Sequence, residues 1–421
     1  MRIAMVVAGA GTMYCGACAR DGDLARALIS EGHDVAVFPI YTPLRLEGEI
    51  GVDPQPLRIG GINAFLRTKF PPAALFPARF RRWLDSPGVL NWASQFAVRT
   101  QAADLGQLTV SFLRGSAGPH ARAIQLLADD VAKFQPQVVV LANSLLAGLI
   151  EALANATHAP VFCQVQGEDG FLDELPEGWR AKAENLLREK TKEAAQFIAP
   201  CAAHAQDMAR RLAQPIERFA IVPPSFRPVA GGYPTRMSAA IRIGHLSSIR
   251  RAKGLDLLVE AMSQLADLSL EFTVGGKVLE PEFYAEVIAQ AASANVKIEF
   301  GGEIAPHDKA AFVAHCDFVV LPSRLRESRG IAALEALALG TPVIAPSTGI
   351  FPELAKATGG VAIYRSKNEL ASTIRACVAD HAEWRCRGLE AALRVTERYS
   401  SSQAAAAAVA CFERILNAPV Q

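Results

Sequence analysis

The sequence predicts an α/β protein with two Rossmann-like domains, each a doubly wound parallel sheet. Apolar runs typical of buried strands alternate with helical segments along both halves of the 421-residue chain. The alternation stops over residues 226–240, where Pro and Gly accompany a loss of periodicity, and it restarts at Ile241. Hydrophobic residues make up 51% of the chain and charged residues 20%, which is enough apolar material for two cores. We therefore expect a first domain over 1–225, a linker over 226–240 and a second domain over 241–400.

The first domain begins with a buried strand over 3–8, a helix over about 21–30 and a strand over 34–39. Residues 45–120 mix Pro, Gly, aromatics and Arg irregularly, which predicts an insertion that shapes an acceptor cleft. Regular alternation then resumes, with helices over 121–134, 145–154, 179–193 and 202–213 and strands over 137–141, 161–165, 196–200 and 219–222. The strand over 161–165 leads into a polar loop over 166–169.

The second domain repeats the pattern. Its predicted strands cover 241–246, 268–274, 296–300 and 318–321, and its helices cover 254–264, 281–292 and 306–315. A last helix over 402–417, within the segment 401–421, contains five consecutive alanines. Such a smooth helix suits close packing, and we expect it to return to the first domain.

Composition excludes several classes of protein. The 43 basic and 42 acidic residues give a net charge of +1, which argues against a nucleic-acid binder. No apolar run approaches the roughly 18 residues that a spanning helix needs, and eight scattered cysteines favour a reducing compartment. Cys15 and Cys18 have redox-motif spacing but no neighbouring metal ligands. We expect a cytoplasmic protein.

Two segments of the predicted insertion, Phe65–Phe70 and Arg79–Trp83, mix apolar and basic residues as interfacial segments do. A folded acceptor-side insertion is the favoured interpretation. Peripheral contact with the inner face of the membrane is the alternative.

Two carboxylates follow the predicted strand over 318–321. Glu327 lies in a polar loop, and Glu335 lies in a short apolar helix that ends at Gly340. Burying a carboxylate among Ala and Leu is costly unless a donor pairs with it, and open α/β sheets bind ligands at the carboxyl ends of their strands. Both glutamates are therefore candidates for binding hydroxyl groups of a ligand. The alternative is ordinary ion pairs with the arginines at 324, 326 and 329.

A basic loop follows the strand over 241–246. Arg250, Arg251 and Lys253 precede Gly254, where a helix begins, and the N-terminus of a helix attracts anions. Taken alone, the loop is slightly more typical of a solvated basic loop. Together with Glu327 and Glu335 in the same half, it predicts a phosphate site. The Gly9-Ala10-Gly11 turn does not complete a dinucleotide motif, because Tyr14 occupies the third glycine position.

These residues resemble the retaining glycosyltransferases of the GT-B fold, family 4 type (glycosyl transferases group 1), over nearly the whole chain. Glu327 and Glu335 match that family's E-x7-E motif, and Lys253-Gly254 matches its phosphate-binding Lys-Gly. Gly349, Pro352 and Glu353 resemble its next, weaker motif, and Gly16 its amino-terminal glycine loop. The resemblance implies two Rossmann-like domains facing across a cleft, the second of which binds the nucleotide sugar.

The resemblance also implies roles. Glu327 would bind a hydroxyl of the donor sugar and Lys253 its diphosphate, as the catalytic pair, while Glu335 would bind the nucleotide ribose. The backbone at Gly16 would close on the diphosphate from the other domain. The remaining expected site residues are Arg250, Arg251, Gly330 and Glu353 for the nucleotide sugar and Gln166, Glu168 and Asp169 on the acceptor side. No metal or cofactor is expected, because basic residues supply the charge.

Three positions depart from the family pattern. His245 stands where an Arg is common, Ser328-Arg329 replaces Gly-Phe after the first Glu, and Gln166 replaces a loop histidine. The predicted function is transfer of a hexose from a nucleotide diphosphate sugar to a hydroxyl of a sugar, lipid or small-molecule acceptor, with retention. The alternatives are a sugar-nucleotide epimerase of the same architecture or an inactive sugar-nucleotide-binding protein.

Overall fold

A computed structural model describes residues 1–8, 16–40, 102–225 and 240–418. The chain separates into two compact units, Met1–Ser225 with Ser401–Gln421 (unit 1) and Phe226–Ser400 (unit 2). Each unit contains a six-stranded sheet in which the paired strands run parallel. The predicted α/β class with two doubly wound sheets is therefore confirmed.

Unit 1 has the strand order β2-β1-β3-β4-β5-β6. Its strands are β1 (Arg2–Val7), β2 (Asp34–Pro39), β3 (Val138–Leu141), β4 (Val161–Gln164), β5 (Gln196–Ala199) and β6 (Phe219–Ile221). Its first seven described helices are α1 (Gly16–Ser30), α2 (Ala102–Leu113), α3 (Ala121–Lys133), α4 (Ile150–Thr157), α5 (Glu168–Glu174), α6 (Glu177–Lys190) and α7 (Ala202–Leu212). Every residue of β3, β4 and β5 is buried, as expected of parallel strands covered on both faces.

Unit 2 has the strand order β12-β11-β10-β7-β8-β9. Its strands are β7 (Ile241–Leu246), β8 (Leu270–Gly275), β9 (Glu299–Phe300), β10 (Phe318–Val320), β11 (Val343–Pro346) and β12 (Val361–Tyr364). Its described helices are α8 (Leu255–Ser263), α9 (Pro281–Ser293), α10 (Lys309–Ala314), α11 (Ile331–Ala338), α12 (Phe351–Thr358), α13 (Leu370–Ala379) and α14 (His381–Arg398). The order reverses between β7 and β10, and such a switch point is where open sheets bind ligands.

The last helix, α15 (Ser401–Leu416), packs on unit 1 against α1. Ala404, Ala405 and Ala408 are buried there. Phe412 is fully buried with its ring 4.9 Å from that of Phe162. The small alanine side chains allow the close approach that the sequence predicted.

Helix α2 corrects the prediction of an irregular segment over 45–120. Phe112 and Leu113 lie in the core of unit 1, and a side chain at Gly106 would come within 2.6 Å of Trp179 on α6. Packing against α6 therefore stabilises a helix that contains a glycine, which local propensity disfavours. The rest of the predicted insertion, with Phe65–Phe70 and Arg79–Trp83, lies outside the described residues, as do the linker residues 226–239 and the side chains of Cys15 and Cys18.

Two segments of unit 1 begin differently from the prediction. The chain expected to be helical over 145–154 starts as a 3-10 helix over Ser144–Leu149 and continues as α4. The polar loop expected over 166–169 ends at Gly167, whose φ of 108° turns the chain into α5. Glu168 and Asp169 fall in the first turn of α5, where acidic side chains suit the helix dipole.

In the part of the chain that the structure describes, no helix combines the length and the apolar character needed to cross a bilayer.

Candidate functional site

The switch point of unit 2 brings Lys253 and Glu327 together. Strands β7 and β10 pair side by side, so the loops that follow them leave the sheet at adjacent positions. The ammonium group of Lys253 donates to Oε1 of Glu327, 74 residues later in the chain. Ser323 donates to the same oxygen at 3.0 Å. The Lys253 and Glu327 side chains are 21% and 22% exposed, so a ligand can reach this ion pair.

Glycines at two positions let the loops of this site approach each other. Gly254 has a φ of +75°, and a side chain there would overlap the carbonyl oxygen of Pro322 in the loop after β10. Gly349 has a φ of +61° and lies directly against the backbone of Glu327, whose carbonyl accepts from the amide of Ile350 at 2.8 Å. The segment at Gly349 and Ile350 thus holds the backbone of Glu327 in place.

Glu335 has a lysine partner that the sequence analysis missed. It lies on α11 among buried apolar neighbours, and its Oε1 accepts from Nζ of Lys309, on α10, at 3.3 Å. The Glu335 and Lys309 side chains are 16% and 27% exposed. The alternative of ion pairs with nearby arginines therefore misidentified the partner, since both glutamates of the E-x7-E pair contact lysines.

The arginines of this region have other partners. Arg324 forms two hydrogen bonds with the carboxylate of Asp256, at 2.8 and 2.6 Å, and this contact raises the pKa of the guanidinium. Arg251 pairs with Glu286, and its guanidinium carbon lies 4.8 Å from the centre of the Phe283 ring. Arg251 is thus already engaged by an acidic and an aromatic side chain.

Arg251 also borders a surface cavity of about 380 Å³. Three of its other lining residues are acidic: Glu280, Glu282 and Glu286. Acidic side chains repel a diphosphate. The side of Arg251 that borders this cavity is therefore unsuited to bind phosphate.

His245 is a neutral side chain with a hydrogen bond at each ring nitrogen. Its Nδ1 lies 2.9 Å from the carbonyl oxygen of Val320, which can only accept, so Nδ1 carries the proton. Nε2 is then an acceptor, and the hydroxyl of Ser247 donates to it at 2.8 Å. Burial lowers the pKa of His245 to about 4. His245 therefore links Ser247, at the start of the loop that carries Lys253, to Val320, at the end of the strand before the Glu327 loop. As a neutral side chain it cannot neutralise a phosphate.

In unit 1, the predicted acceptor-side residues Gln166 and Glu168 belong to a buried hydrogen-bond network. Oε1 of Glu168 accepts from the amide of Ser144 at 3.0 Å and from its hydroxyl, while Oε2 accepts from the amide of Gln166 at 2.6 Å. The side-chain amide of Gln166 donates to Asp21 at 3.1 Å and to the carbonyl of Ala142. Both side chains thus hold the loops after β3 and β4 together.

Asp169 is the most exposed of the three predicted acceptor-side residues, because Gln166 and Glu168 are buried. Its side chain is half-buried. Burial raises the pKa of the carboxyl, and the nearby His204 opposes that rise. His204 is buried, and its Nε2 has no hydrogen-bond partner among the described residues.

Three further predicted residues lie at the starts of helices. Gly16 begins α1, Gly330 precedes α11 with a φ of +59°, and Glu353 lies in the first turn of α12. Gly330 and Glu353 belong to unit 2, with Lys253 and Glu327, whereas Gly16 belongs to unit 1. No group of His, Cys, Asp and Glu suited to hold a metal occurs within residues 1–8, 16–40, 102–225 and 240–418.

Two family models match the chain. The model described as "Glycosyl transferases group 1" matches residues 239–388, and the one described as "Glycosyl transferase 4-like domain" matches residues 16–225. The chain belongs to the group 1 glycosyltransferases. Together the two models span both units, and the resemblance drawn from Lys253, Glu327 and Glu335 is confirmed.

Curated relatives of this glycosyltransferase match over part of their length. A lipopolysaccharide core biosynthesis mannosyltransferase of Rhizobium leguminosarum bv. viciae is 30% identical over 184 residues, which are 41% of this chain and 51% of the relative. A D-inositol 3-phosphate glycosyltransferase of Pseudarthrobacter chlorophenolicus is 33% identical over 172 residues, 37% of this chain and 40% of the relative. The chain thus spans about half or less of the length of the curated relatives it matches.

Solved structures show that the fold is GT-B. The Anabaena protein HepE, crystallised with UDP and glucose, has a TM-score of 0.64 at 16% identity, with 98% of this chain and 100% of that chain covered. Sucrose-phosphate synthase of Thermosynechococcus elongatus has a TM-score of 0.67 at 16% identity, with 98% of each chain covered.

Proposed function

We propose that this glycosyltransferase moves a hexose from a nucleotide diphosphate sugar to an acceptor hydroxyl with retention of anomeric configuration. The observation that carries the proposal is the contact between Lys253 and Glu327 at the switch point of unit 2. A cation for phosphate and a carboxylate for sugar hydroxyls are adjacent there. The names of related proteins, which include a mannosyltransferase and a structure holding UDP-glucose, support a hexose donor.

The ion pair gives Lys253 and Glu327 partners that a bound donor can replace. Without a donor, the ammonium of Lys253 and the carboxylate of Glu327 neutralise each other. A bound diphosphate gives Lys253 a new anionic partner and leaves Glu327 free to accept from a sugar hydroxyl. Because about one fifth of each side chain is exposed, this exchange requires no buried charge to be left alone.

The reaction needs stabilisation of the leaving diphosphate. The bond from the anomeric carbon to the phosphate oxygen breaks, and a bond from that carbon to the acceptor oxygen forms on the same face. The acceptor proton moves to the departing phosphate. Lys253, an arginine at 250 or 251 and the amide groups at the start of α8 stabilise the charge that grows on the phosphate.

Glu327 is a hydrogen-bond acceptor in this scheme. Its Oε1 accepts from the hydroxyl of Ser323 at 3.0 Å, and this hydrogen bond weakens the carboxylate as a nucleophile after Lys253 has turned to the diphosphate. No carboxylate intermediate is therefore invoked.

The acceptor and the cellular site remain as predicted from the sequence. We propose an acceptor hydroxyl on a sugar, lipid or small molecule, bound by unit 1 near Asp169. We propose a cytoplasmic enzyme, with peripheral membrane contact through the segments at 65–70 and 79–83 as the alternative.

A donor screen followed by product analysis tests the proposal. Thermal shift with UDP-, GDP- and ADP-hexoses identifies the donor, and incubation with mixed sugar and lipid acceptors follows. The expected product is heavier by one hexose, and its anomeric proton coupling in NMR spectra matches the donor. An epimerised nucleotide sugar without transfer would indicate the epimerase, and donor binding without any product would indicate an inactive binding protein.

A further inference from the structure

Arg324 joins the loop after β10 to the loop that follows β7. Its backbone amide donates to the carbonyl oxygen of Ala252 at 2.9 Å. Its guanidinium donates to the carbonyl oxygen of Arg251 at 2.7 Å and to the two carboxylate oxygens of Asp256 at 2.8 and 2.6 Å. These hydrogen bonds end on residues that flank Lys253 on both sides.

Both charged groups of the candidate donor site are close in sequence to this junction. Lys253 lies between the residues that Arg324 contacts, and Glu327 follows Arg324 by three residues in the same loop. The hydroxyl of Ser323, the residue before Arg324, donates to Oε1 of Glu327 at 3.0 Å. A bidentate contact between a guanidinium and a carboxylate fixes the geometry of the two segments that it joins. A contact of this kind at this place can set the positions of Lys253 and Glu327.

A second arginine of unit 2 makes the same kind of contact at the other edge of the sheet. Arg375, on α13, donates to both carboxylate oxygens of Asp267 at 2.5 and 2.7 Å and to the carbonyl oxygen of Gln264 at 3.2 Å. Asp267 precedes the amino end of β8, whereas Asp256 lies in α8, after the carboxyl end of β7. The exposed fractions of the two arginine side chains are similar, 44% for Arg375 and 37% for Arg324. The two contacts therefore share their chemistry and differ in their distance along the chain from Lys253.

We propose that Arg324 is a positioning residue for the binding of the donor diphosphate and that it acts through Lys253. Its hydrogen bonds hold the turn at 251–256 against the loop that leads to Glu327, so the ammonium group of Lys253 is in place before the donor arrives. A preorganised cation loses less conformational freedom on binding than a mobile one. The inference rests on the proposed function, because it takes Lys253 as a ligand of the diphosphate. It adds a residue that supports binding without needing to touch the ligand.

Binding of nucleoside diphosphates to matched variants tests the inference. Isothermal titration of the full chain with UDP, GDP and ADP identifies the tightest of the three, which is then used throughout. Arg324→Ala should weaken its binding by about 10-fold, within the range found for residues in contact. Arg375→Ala, the matched control, should bind within about 2-fold of the wild type, because distant sites act independently. Arg324→Lys should recover only part of the affinity, because it keeps the charge but not the planar fork.

A double-mutant cycle shows whether Arg324 acts through Lys253. Lys253→Ala alone should weaken binding by about 10-fold or more. Adding Arg324→Ala to Lys253→Ala should then change the Kd by less than about 2-fold, because no ammonium group remains to be positioned. Asp256→Asn separates positioning from charge by the sign of its effect. Removing a negative charge by itself favours an anion, whereas loosening the contact with Arg324 should weaken binding, and we expect the weaker binding.

Each outcome has a distinct meaning. If Arg324→Ala binds like the wild type, or weakens binding equally with and without Lys253, the inference fails and the proposed function stands. If Lys253→Ala binds like the wild type, the phosphate assignment fails and the inference fails with it. The same holds if no nucleoside diphosphate binds the wild type at millimolar concentration. Should thermal unfolding show that Arg324→Ala is not folded, Asp256→Asn replaces it, and equal or tighter binding by that variant overturns the inference.

Discussion

The carboxyl edges of the two sheets use acidic side chains in opposite ways. In unit 1, Glu168 is 6% exposed and accepts three hydrogen bonds from Ser144 and Gln166. In unit 2, Glu327 is 22% exposed and contacts Lys253, a flexible cation that can change partners. A saturated carboxylate fixes a backbone, whereas a partly exposed ion pair can be exchanged for a ligand. This contrast favours structural support by Glu168 and supports the proposed binding of the donor by Glu327 and Lys253.

Replacing Lys253 should produce the largest effect. Lys253→Ala removes a preorganised cation from the departing diphosphate, so turnover should fall by about 10²–10³. The stability of the protein should change little, because a partly exposed ion pair contributes about 0–1 kcal/mol. Initial rates at saturating donor measure the effect, with Lys133→Ala as the control. A Lys253→Ala enzyme that transfers sugar at the wild-type rate would refute the phosphate assignment.

Replacing Glu168 tests the other side of the comparison. Glu168→Ala leaves three buried donors without their acceptor, and we expect the free energy of unfolding to fall by about 3 kcal/mol. Glu189→Ala, at a side chain that is 63% exposed, should change it by less than about 0.5 kcal/mol. Urea unfolding followed by circular dichroism provides the measurement. If Glu168→Ala keeps full stability but loses transfer, Glu168 acts on the substrate and the assignment to structural support is wrong.

The same contrast explains what could be predicted from sequence. The meeting of Lys253 and Glu327 was predictable because both follow strands of one parallel sheet, and the carboxyl ends of such strands share an edge. The pairing of Lys309 with Glu335 was not, because it depends on how α10 packs beside α11, and no spacing in the chain encodes that distance. Similarly, Arg251 lies in a basic loop by sequence but is drawn to Glu286 by the packing of α9.

Unit 1 shows a second limit of prediction. Helix α5 has only seven residues, with a glycine at its third position, so its sequence resembles a polar loop. Its first residue is stabilised by contacts to Ser144, in a 3-10 turn 24 residues earlier. Local propensity cannot predict such a contact. The segment predicted as an acceptor-side loop is therefore helical from Glu168 onward, and the Glu168 carboxylate already accepts hydrogen bonds from Ser144.

His245 should make the stability of unit 2 depend on pH. Its pKa is about 4 in the folded protein and about 6.5 when unfolded, so between these values the unfolded chain binds a proton that the folded one refuses. Stability is full above pH 6.5 and should decrease by about 3 kcal/mol as pH falls to 4. His245→Gln lacks this group, so the difference between wild type and variant should shrink over that range. If the difference in the free energy of unfolding between wild type and His245→Gln stays constant from pH 7 to 4, the buried imidazole is not neutral as inferred here.

Asp169 gives the smallest expected effect and the sharpest separation of structure from function. Burial raises its pKa above the ordinary 3.8, so the ionised carboxylate costs stability at neutral pH, and that cost disappears as the pH falls below 3.8. Asp169→Asn should therefore stabilise the fold slightly at pH 7 and have no effect at pH 3, measured by urea unfolding at both values. A stabilised variant with reduced transfer would identify Asp169 as a residue kept for the acceptor, because only function would then favour a charge that the fold disfavours. A variant destabilised at pH 7 would instead show that the charge is needed by His204 and Arg211, which act on the same carboxylate.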